Sequence, residues 1–123
     1  MPVSGSASRM SRKNYPDTPD GRYFVSKGRL WRKTDPSLPD SERRAGIKAL
    51  MQARRAVQTA QTPEAERSAR DAVDAAKRRL GERGPVWWKD GAPDEGGRHP
   101  ANSSYASWWD TLDKTRREYG EGR

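Results

Sequence analysis

Within the string DGAPDEGGRH, residues 90 to 99, stand five side chains able to do acid–base or cation chemistry: Asp90, Asp94, Glu95, Arg98 and His99. Carboxylates beside the chain's one histidine could act as a general acid/base pair or offer oxygen ligands to a hard cation. Either role needs convergent groups at set spacing, and the string matches no strong template. The expectation is that Asp90 and Asp94 close turns around Gly91 and Pro93, that Arg98 pairs with a carboxylate, and that His99 is a surface or helix-capping imidazole. The chain has no cysteine, which excludes disulfides and thiolate metal sites. The sequence therefore predicts a non-enzymatic protein with no cofactor and no metal.

A second group of residues suits phosphate. The net charge is +8 over 123 residues, and residues 1–34 hold eight Lys/Arg against two Asp. These are Arg9, Arg12, Lys13, Arg22, Lys27, Arg29, Arg32 and Lys33. Arg44, Lys48 and Arg55 add a basic stripe at helical spacing. Such a distribution attracts polyanions by counterion release, with nucleic acid the usual partner and an anionic membrane surface the other. No recognised DNA- or RNA-binding motif is present, so the contact expected is sequence-independent, with Tyr23 and Trp31 available to stack on bases wherever they are exposed. The plainer alternative is a solubilising tail.

The aromatic residues form the third group. Trp87-Trp88 and Trp108-Trp109 flank a Gly/Pro/Asp-rich loop in a chain poor in Leu, Ile, Val and Phe, so indole burial is expected to decide whether a core forms. Trp88, Tyr105, Trp108, Trp109 and Leu112 are the expected core, and the C-terminal rings are expected to clamp the loop or a helix pair. Trp31, Trp87, Lys89, Asp90, Asp94, Arg98 and His99 are the candidates for a protein–protein interaction or adaptor surface. A homo-oligomer is a further expectation, because an alanine-lined helical seam buries little on its own.

The elements that must position these groups can be read from turn chemistry and period. Residues 1–20 read as a disordered basic leader that ends in the turn PDTPDG. Residues 22–33 read as a β-hairpin turning at Lys27-Gly28. In that register Tyr23 opposes Arg32 and Val25 opposes Leu30 on one face, and Phe24 opposes Trp31 on the other. Pro39 opens a helix over 39–60 with Ile47, Leu50, Met51 and Val57 on its apolar face. Thr62-Pro63 opens a second helix over 63–80, closed by Gly81, that buries Ala65, Ala69, Ala72, Val73, Ala76 and Leu80. The short connection makes the two an antiparallel hairpin. A Trp-rich loop over 82–101 leads to an amphipathic helix over 102–117, and 118–123 are expected to fray. The fold class expected is mainly α, a small α+β arrangement forming a single small domain over 21–117.

Hydrophobic residues are 31% and charged residues 34%, toward the disordered side of globular composition. The opening MPVSGSASRMSRK lacks the apolar run of a signal peptide, and no stretch approaches the roughly 18 apolar residues of a membrane span. A cytoplasmic protein without a membrane span is expected. The runs YFVSKGRLWR, ALMQARRAV and VDAAKRRLGERGPVWWKDGAPD, followed by RHPANSSYASWW, resemble a family of small bacterial proteins sometimes labelled "biopolymer transporter Tol". The resemblance covers roughly residues 21 to 112. It is most specific over residues 81–94 and in the Asn-x-x-Tyr-Ala pattern at 102–106, and it implies no particular activity or residue role.

Overall fold

A β-hairpin of two four-residue strands, β1 (Tyr23–Ser26) and β2 (Arg29–Arg32), anchors the N-terminal side of the fold. Its register pairs Tyr23 with Arg32, Phe24 with Trp31, Val25 with Leu30 and Ser26 with Arg29, as the alternation predicts. Lys27 and Gly28 both have positive φ, 54° and 71°. That conformation gives a two-residue turn the twist its strands need. The computed structural model describes residues 15–122, so Arg9, Arg12 and Lys13, with the rest of the leader up to residue 14, lie outside the described residues.

The described chain falls into two compact units: one holds the chain up to Lys33 together with everything from Asp94 onward, the other Thr34–Pro93. In the first unit both edges of the hairpin are covered. On the β1 side Thr18 N–H donates to the Tyr23 carbonyl (2.9 Å) and Val25 N–H to the Pro16 carbonyl (2.9 Å), with Asp17 bridging Phe24. On the β2 side Gly97 N–H donates to the Leu30 carbonyl and Leu30 N–H to the Arg98 carbonyl, each at 2.8 Å. Edge pairing of this kind satisfies backbone groups that a bare hairpin leaves open. It also corrects the expected extent of the leader: residues 15–20 are ordered, because Pro16 and Thr18 are buried and the Thr18 hydroxyl and amide are both bonded to Tyr23.

The expected single helix over 102–117 is three elements instead. A 3-10 turn spans Pro100–Asn102, α3 spans Ala106–Thr111 and α4 spans Lys114–Glu121. Leu112 is extended (ψ 144°) and ends α3, and the Asp113 carboxylate accepts from Arg116 N–H at 2.8 Å to start α4. An aspartate well placed to cap a new helix competes with continuing the old one. The last turn does not fray as expected, because α4 is docked: the Gly120 carbonyl accepts from Gly28 N–H (2.8 Å) at the hairpin turn. Gly120 is wedged so closely that a Cβ there would lie 2.8 Å from Trp109 Cη2 and 3.1 Å from Val25 Cγ1. Trp109, 4% exposed, packs beside Gly120 and edge-on to His99 at the end of the 82–101 loop, so a C-terminal ring does meet that loop as expected.

The second unit is an antiparallel helix pair, α1 (Asp40–Thr59) and α2 (Pro63–Arg79). Thr62 caps α2 by accepting from Ala65 N–H (3.0 Å), with Pro63 in the first turn. Gly81 (φ 81°) ends it: Gly81 N–H donates to the Arg78 carbonyl and Glu82 N–H to the Lys77 carbonyl, the paired bonds of a Schellman cap. The core is Leu50, Ala76 and the fully buried Leu80, with Leu38, Ala49 and Val73 packed against it. The buried face of α1 is Gly46, Leu50 and Ala53, a rotation from the expected stripe that leaves Ile47 and Met51 39% and 54% exposed. The small residues set this rotation: helices approach most closely where Gly and Ala face each other, and the larger side chains are turned out. On α2, Ala69 and Ala76 are buried whereas Ala65 and Ala72 are exposed.

Trp88 and Trp109 are the buried indoles, while Tyr105, Trp108 and Leu112 are half-buried. Trp88→Ala and Trp109→Ala should each lose roughly 3 to 5 kcal/mol, as expected for buried aromatics, measured by denaturant titration. Gly46→Ala should also destabilise, by about 1 to 3 kcal/mol, despite the better helix propensity of alanine. The added methyl would stand 2.6 Å from Leu80 Cδ2 and 2.9 Å from its Cγ, and Leu80 is enclosed. An unchanged or higher melting temperature for Gly46→Ala would show that Leu80 has room to move.

Candidate nucleic-acid interface

The alternation of the hairpin sends Tyr23, Val25, Leu30 and Arg32 inward and Arg22, Phe24, Arg29, Trp31 and Lys33 to the opposite face. Arg32 therefore leaves the basic set proposed from sequence. It is 7% exposed, and its Nη2 lies 2.9 Å from Asp94 Oδ2. Tyr23 is likewise buried and offers no ring to a base. Its hydroxyl donates to Asp94 Oδ1 (3.2 Å) and accepts from Glu95 N–H (2.8 Å). Asp94 also accepts from Gly96 N–H at 2.9 Å. An inward arginine in a small core is tolerable only with its charge matched and hydrogen-bonded, and Asp94 supplies that match from 62 positions away.

Burial alone would raise the Asp94 carboxyl, but the Gly96 N–H, the Arg32 guanidinium and the Tyr23 hydroxyl outweigh it and hold it below the ordinary aspartate range. Burial likewise pushes the Tyr23 hydroxyl up to about 12, opposed by the Glu95 N–H and reinforced by the Asp94 charge. A second acid, Asp20, accepts from the Tyr105 hydroxyl (2.6 Å), the Thr18 hydroxyl (2.8 Å) and Arg22 N–H (3.1 Å). Those bonds exceed its desolvation and lower its pKa, while Tyr105 is raised, first by burial and then by Asp20. The Glu95 carboxylate is buried and closes the following loop by accepting from Ser104 N–H (2.9 Å) and the Ser104 hydroxyl. Neither Asp20 nor Glu95 stands out in the sequence as a structural acid. Only the turn chemistry around Asp20 hints at its part.

The polar string at 90–99 divides between the two units. Asp90 accepts from Ala92 N–H (3.0 Å) and Asp94 from Gly96 N–H, each closing a turn, and Arg98 lies 3.9 Å from Glu95. His99 caps the 3-10 turn: its Nδ1 accepts from Ala101 N–H (3.0 Å), which leaves the proton on Nε2 to donate to Glu121 (3.1 Å), and the ring sits edge-on to Trp109. One nitrogen thus closes the 3-10 turn and the other holds α4. Among the described residues no group of three or more acids and histidines is placed to hold a metal ion.

On the outward side of the hairpin Trp31 is 38% exposed, its indole N–H bonded to the Ser26 carbonyl at 2.8 Å, and Tyr15 stacks on Phe24 with centroids 5.9 Å apart. Lys33 pairs with Asp17 (3.3 Å) and Arg22 approaches Asp20 (3.8 Å). Lys27 and Arg29 are exposed. In the other unit Arg44, Lys48 and Arg55 are all exposed, with Arg44 held by Asp40 at 2.6 Å. Trp87 is half-buried and edge-on to Trp88, whose indole N–H donates to the Ala92 carbonyl (2.7 Å), and Lys89 is exposed. No helix among the described residues is long and apolar enough to cross a membrane. No protein-family model, no curated protein and no solved structure matches the chain.

The lowered pKa of Asp94 fixes a sign. Its contribution to stability is complete above the unfolded aspartate value, about 3.9, and is lost as pH falls through the lower folded value. Asp94→Asn should therefore melt well below the unaltered protein at pH 7, and the gap should close as pH drops below about 4. A gap that stays constant from neutral to acidic pH would show that the Arg32–Asp94 charge pair contributes nothing to folding. In alkali the same node should weaken as pH passes from about 10 toward 12, because the raised Tyr23 hydroxyl favours the fold only while protonated.

Proposed function

We propose that this chain is a non-enzymatic binding module that contacts nucleic-acid phosphates without reading sequence. The observation that carries this proposal is the sorting of the hairpin's cations. Arg32 is turned inward against Asp94, whereas Arg22, Lys27, Arg29 and Lys33 lie on the outward face and turn of the same element. The leader brings Arg9, Arg12 and Lys13 to the same end of the sequence. Lys27 and Arg29 are exposed, while Arg22 and Lys33 are partly buried beside Asp20 and Asp17; clustered cations bind polyanions through counterion release. Arg44, Lys48 and Arg55 on α1 extend the basic set within the second unit.

A second proposal, a protein–protein or self-association contact, draws support from a different place than the tryptophans. Ile47 and Met51 stand one helical turn apart on α1 and are both exposed, an apolar pair of the sort that partner helices cover.

Salt separates the two. If the four outward hairpin cations each neutralise one phosphate, affinity for a short labelled oligonucleotide should fall about 50- to 150-fold between 50 and 200 mM salt. An affinity insensitive to salt, or no binding at 50 mM, would remove the phosphate proposal and leave the apolar one.

A further inference from the structure

We infer that the exposed face of α1 carrying Ile47 and Met51 is a docking surface for an acidic amphipathic helix of another protein. This rests on the apolar contact proposed second above and goes further by giving the partner a chemistry.

Ile47 and Met51 are 39% and 54% exposed and stand one turn apart. By the 3.6-residue turn, Arg43 and Arg54 fall on one side of the line joining them, and Arg44, Lys48 and Arg55 on the other. All five cations are exposed. The apolar pair is therefore framed by positive charge along both flanks, on a helix that holds no Asp or Glu from residue 43 to its end. Such a frame suits carboxylates, which arginine can hold in bidentate pairs, and a flexible methionine between the flanks adapts to the apolar side chain set against it.

The acids of the same unit do not supply the match. Asp40 holds Arg43 and Arg44, and Glu42 reaches Arg79 (3.4 Å). One side of the helix pair is a groove lined by Ala49, Ala53, Ala72 and Ala75, and the helical period puts Glu64 and Asp71 on that side of α2. Ile47 and Met51 lie on the other side, with Glu66 and Asp74. There Glu66 is taken by Arg70 (2.8 Å), and Asp74 by Arg78 (2.8 Å) and Arg83 (2.9 Å). Asp35, Glu82 and Asp90 accept from Ser37, Thr34 and Ala92 in the connecting segments. Among the described residues, then, no acid stands within ion-pair distance of Lys48, Arg54 or Arg55.

Charge selects the occupant. A second copy docked on the same face would bring Arg44 against Arg55 in an antiparallel crossing, and each cation against itself in a parallel one. Like charges meet either way, which disfavours self-association here. A phosphate backbone would satisfy the arginines but leave Ile47 and Met51 uncovered, and two apolar side chains give a bilayer little to hold. A helix with an apolar stripe between two acidic flanks answers both features at once.

The test is fluorescence anisotropy of the full chain with a labelled peptide of about 18 residues, five helical turns, that carries leucines on one stripe and glutamates along both flanks of it, at about 100 mM salt. Two comparison peptides have the same composition in shuffled order, and lysine in place of glutamate. The unaltered chain should bind the glutamate peptide at least about tenfold more tightly than either. Met51→Gln, which keeps the length of the side chain, should weaken that binding about 5- to 30-fold. Arg55→Glu should weaken it as well and, by the same reversal of sign, strengthen binding of the lysine peptide. Circular dichroism on each variant confirms the fold, and the charge reversal keeps the test valid if Met51→Gln is impaired. Equal binding of the shuffled peptide, or no effect of either substitution, overturns the inference. Should no peptide bind, sedimentation velocity separates two cases: a dimer lost in Met51→Gln overturns the acidic partner while leaving an apolar contact standing, and a monomer throughout overturns both. Binding of oligo-dT or of phosphatidylglycerol vesicles that Arg55→Glu weakens, with no binding of the glutamate peptide, overturns the inference and assigns the face to phosphate.

Discussion

A hairpin with four residues per strand has too little surface to stand alone, and the way its inward face is closed governs the first unit. Three of the four inward side chains, Tyr23, Val25 and Leu30, are nearly inaccessible. The fourth is Arg32, whose charge would forbid burial without Asp94. Asp94 in turn is held by Gly96 N–H and the Tyr23 hydroxyl, and the same hydroxyl takes the Glu95 N–H. One ion pair thus fixes where the returning chain must cross the sheet. Once it crosses there, Gly97 and Arg98 are in place to cover the edge of β2, and the loop from Glu95 to Ser104 closes on its own carboxylate.

The second unit solves a similar shortage differently. Its helices have few large apolar side chains, and Leu50, Ala76 and Leu80 form the buried cluster. Closeness substitutes for volume: Gly46 leaves room for Leu80 that a single methyl would take away. Thr62 and Gly81 mark the ends of α2 by well-made caps, which matter more where packing is thin. The exposed salt bridges along α2, Arg70 with Glu66 and Arg78 with Asp74, are screened by solvent and add little to stability.

Local chemistry was legible in the sequence. The strand alternation around Lys27-Gly28 specified the register residue by residue, and the Thr62-Pro63 and Gly81 signals placed the ends of α2. The turn roles of Asp90 and Asp94 and the capping position of His99 could likewise be read from neighbouring residues. Pairings at long range could not be read. Nothing near Tyr105 points to Asp20, and nothing near Arg32 points to Asp94, because a hydrogen bond across 85 positions or a salt bridge across 62 leaves no periodic trace. The buried face of α1 departs from the hydrophobic pattern for a related reason: Ile47 and Met51 weigh most in that pattern, but Gly46 and Ala53 permit the closest approach. As for the candidate interface, the outward position of Trp31 and Arg29 followed from alternation, whereas the withdrawal of Arg32 and Tyr23 from solvent required knowing what returns to meet them.

The first unit is built from both ends of the sequence, with the helix pair inserted between Lys33 and Asp94. During synthesis the hairpin therefore emerges long before its partners: Asp94 lies some sixty residues behind Arg32, and Gly120 still further behind Gly28. The helices, whose contacts are local, can assemble as they leave the ribosome, while the outer edge of β2 waits for Gly97 and Arg98 to cover it. A nascent chain that has not yet reached Asp94 would thus hold Arg32 without its counter-ion and the outer edge of β2 uncovered.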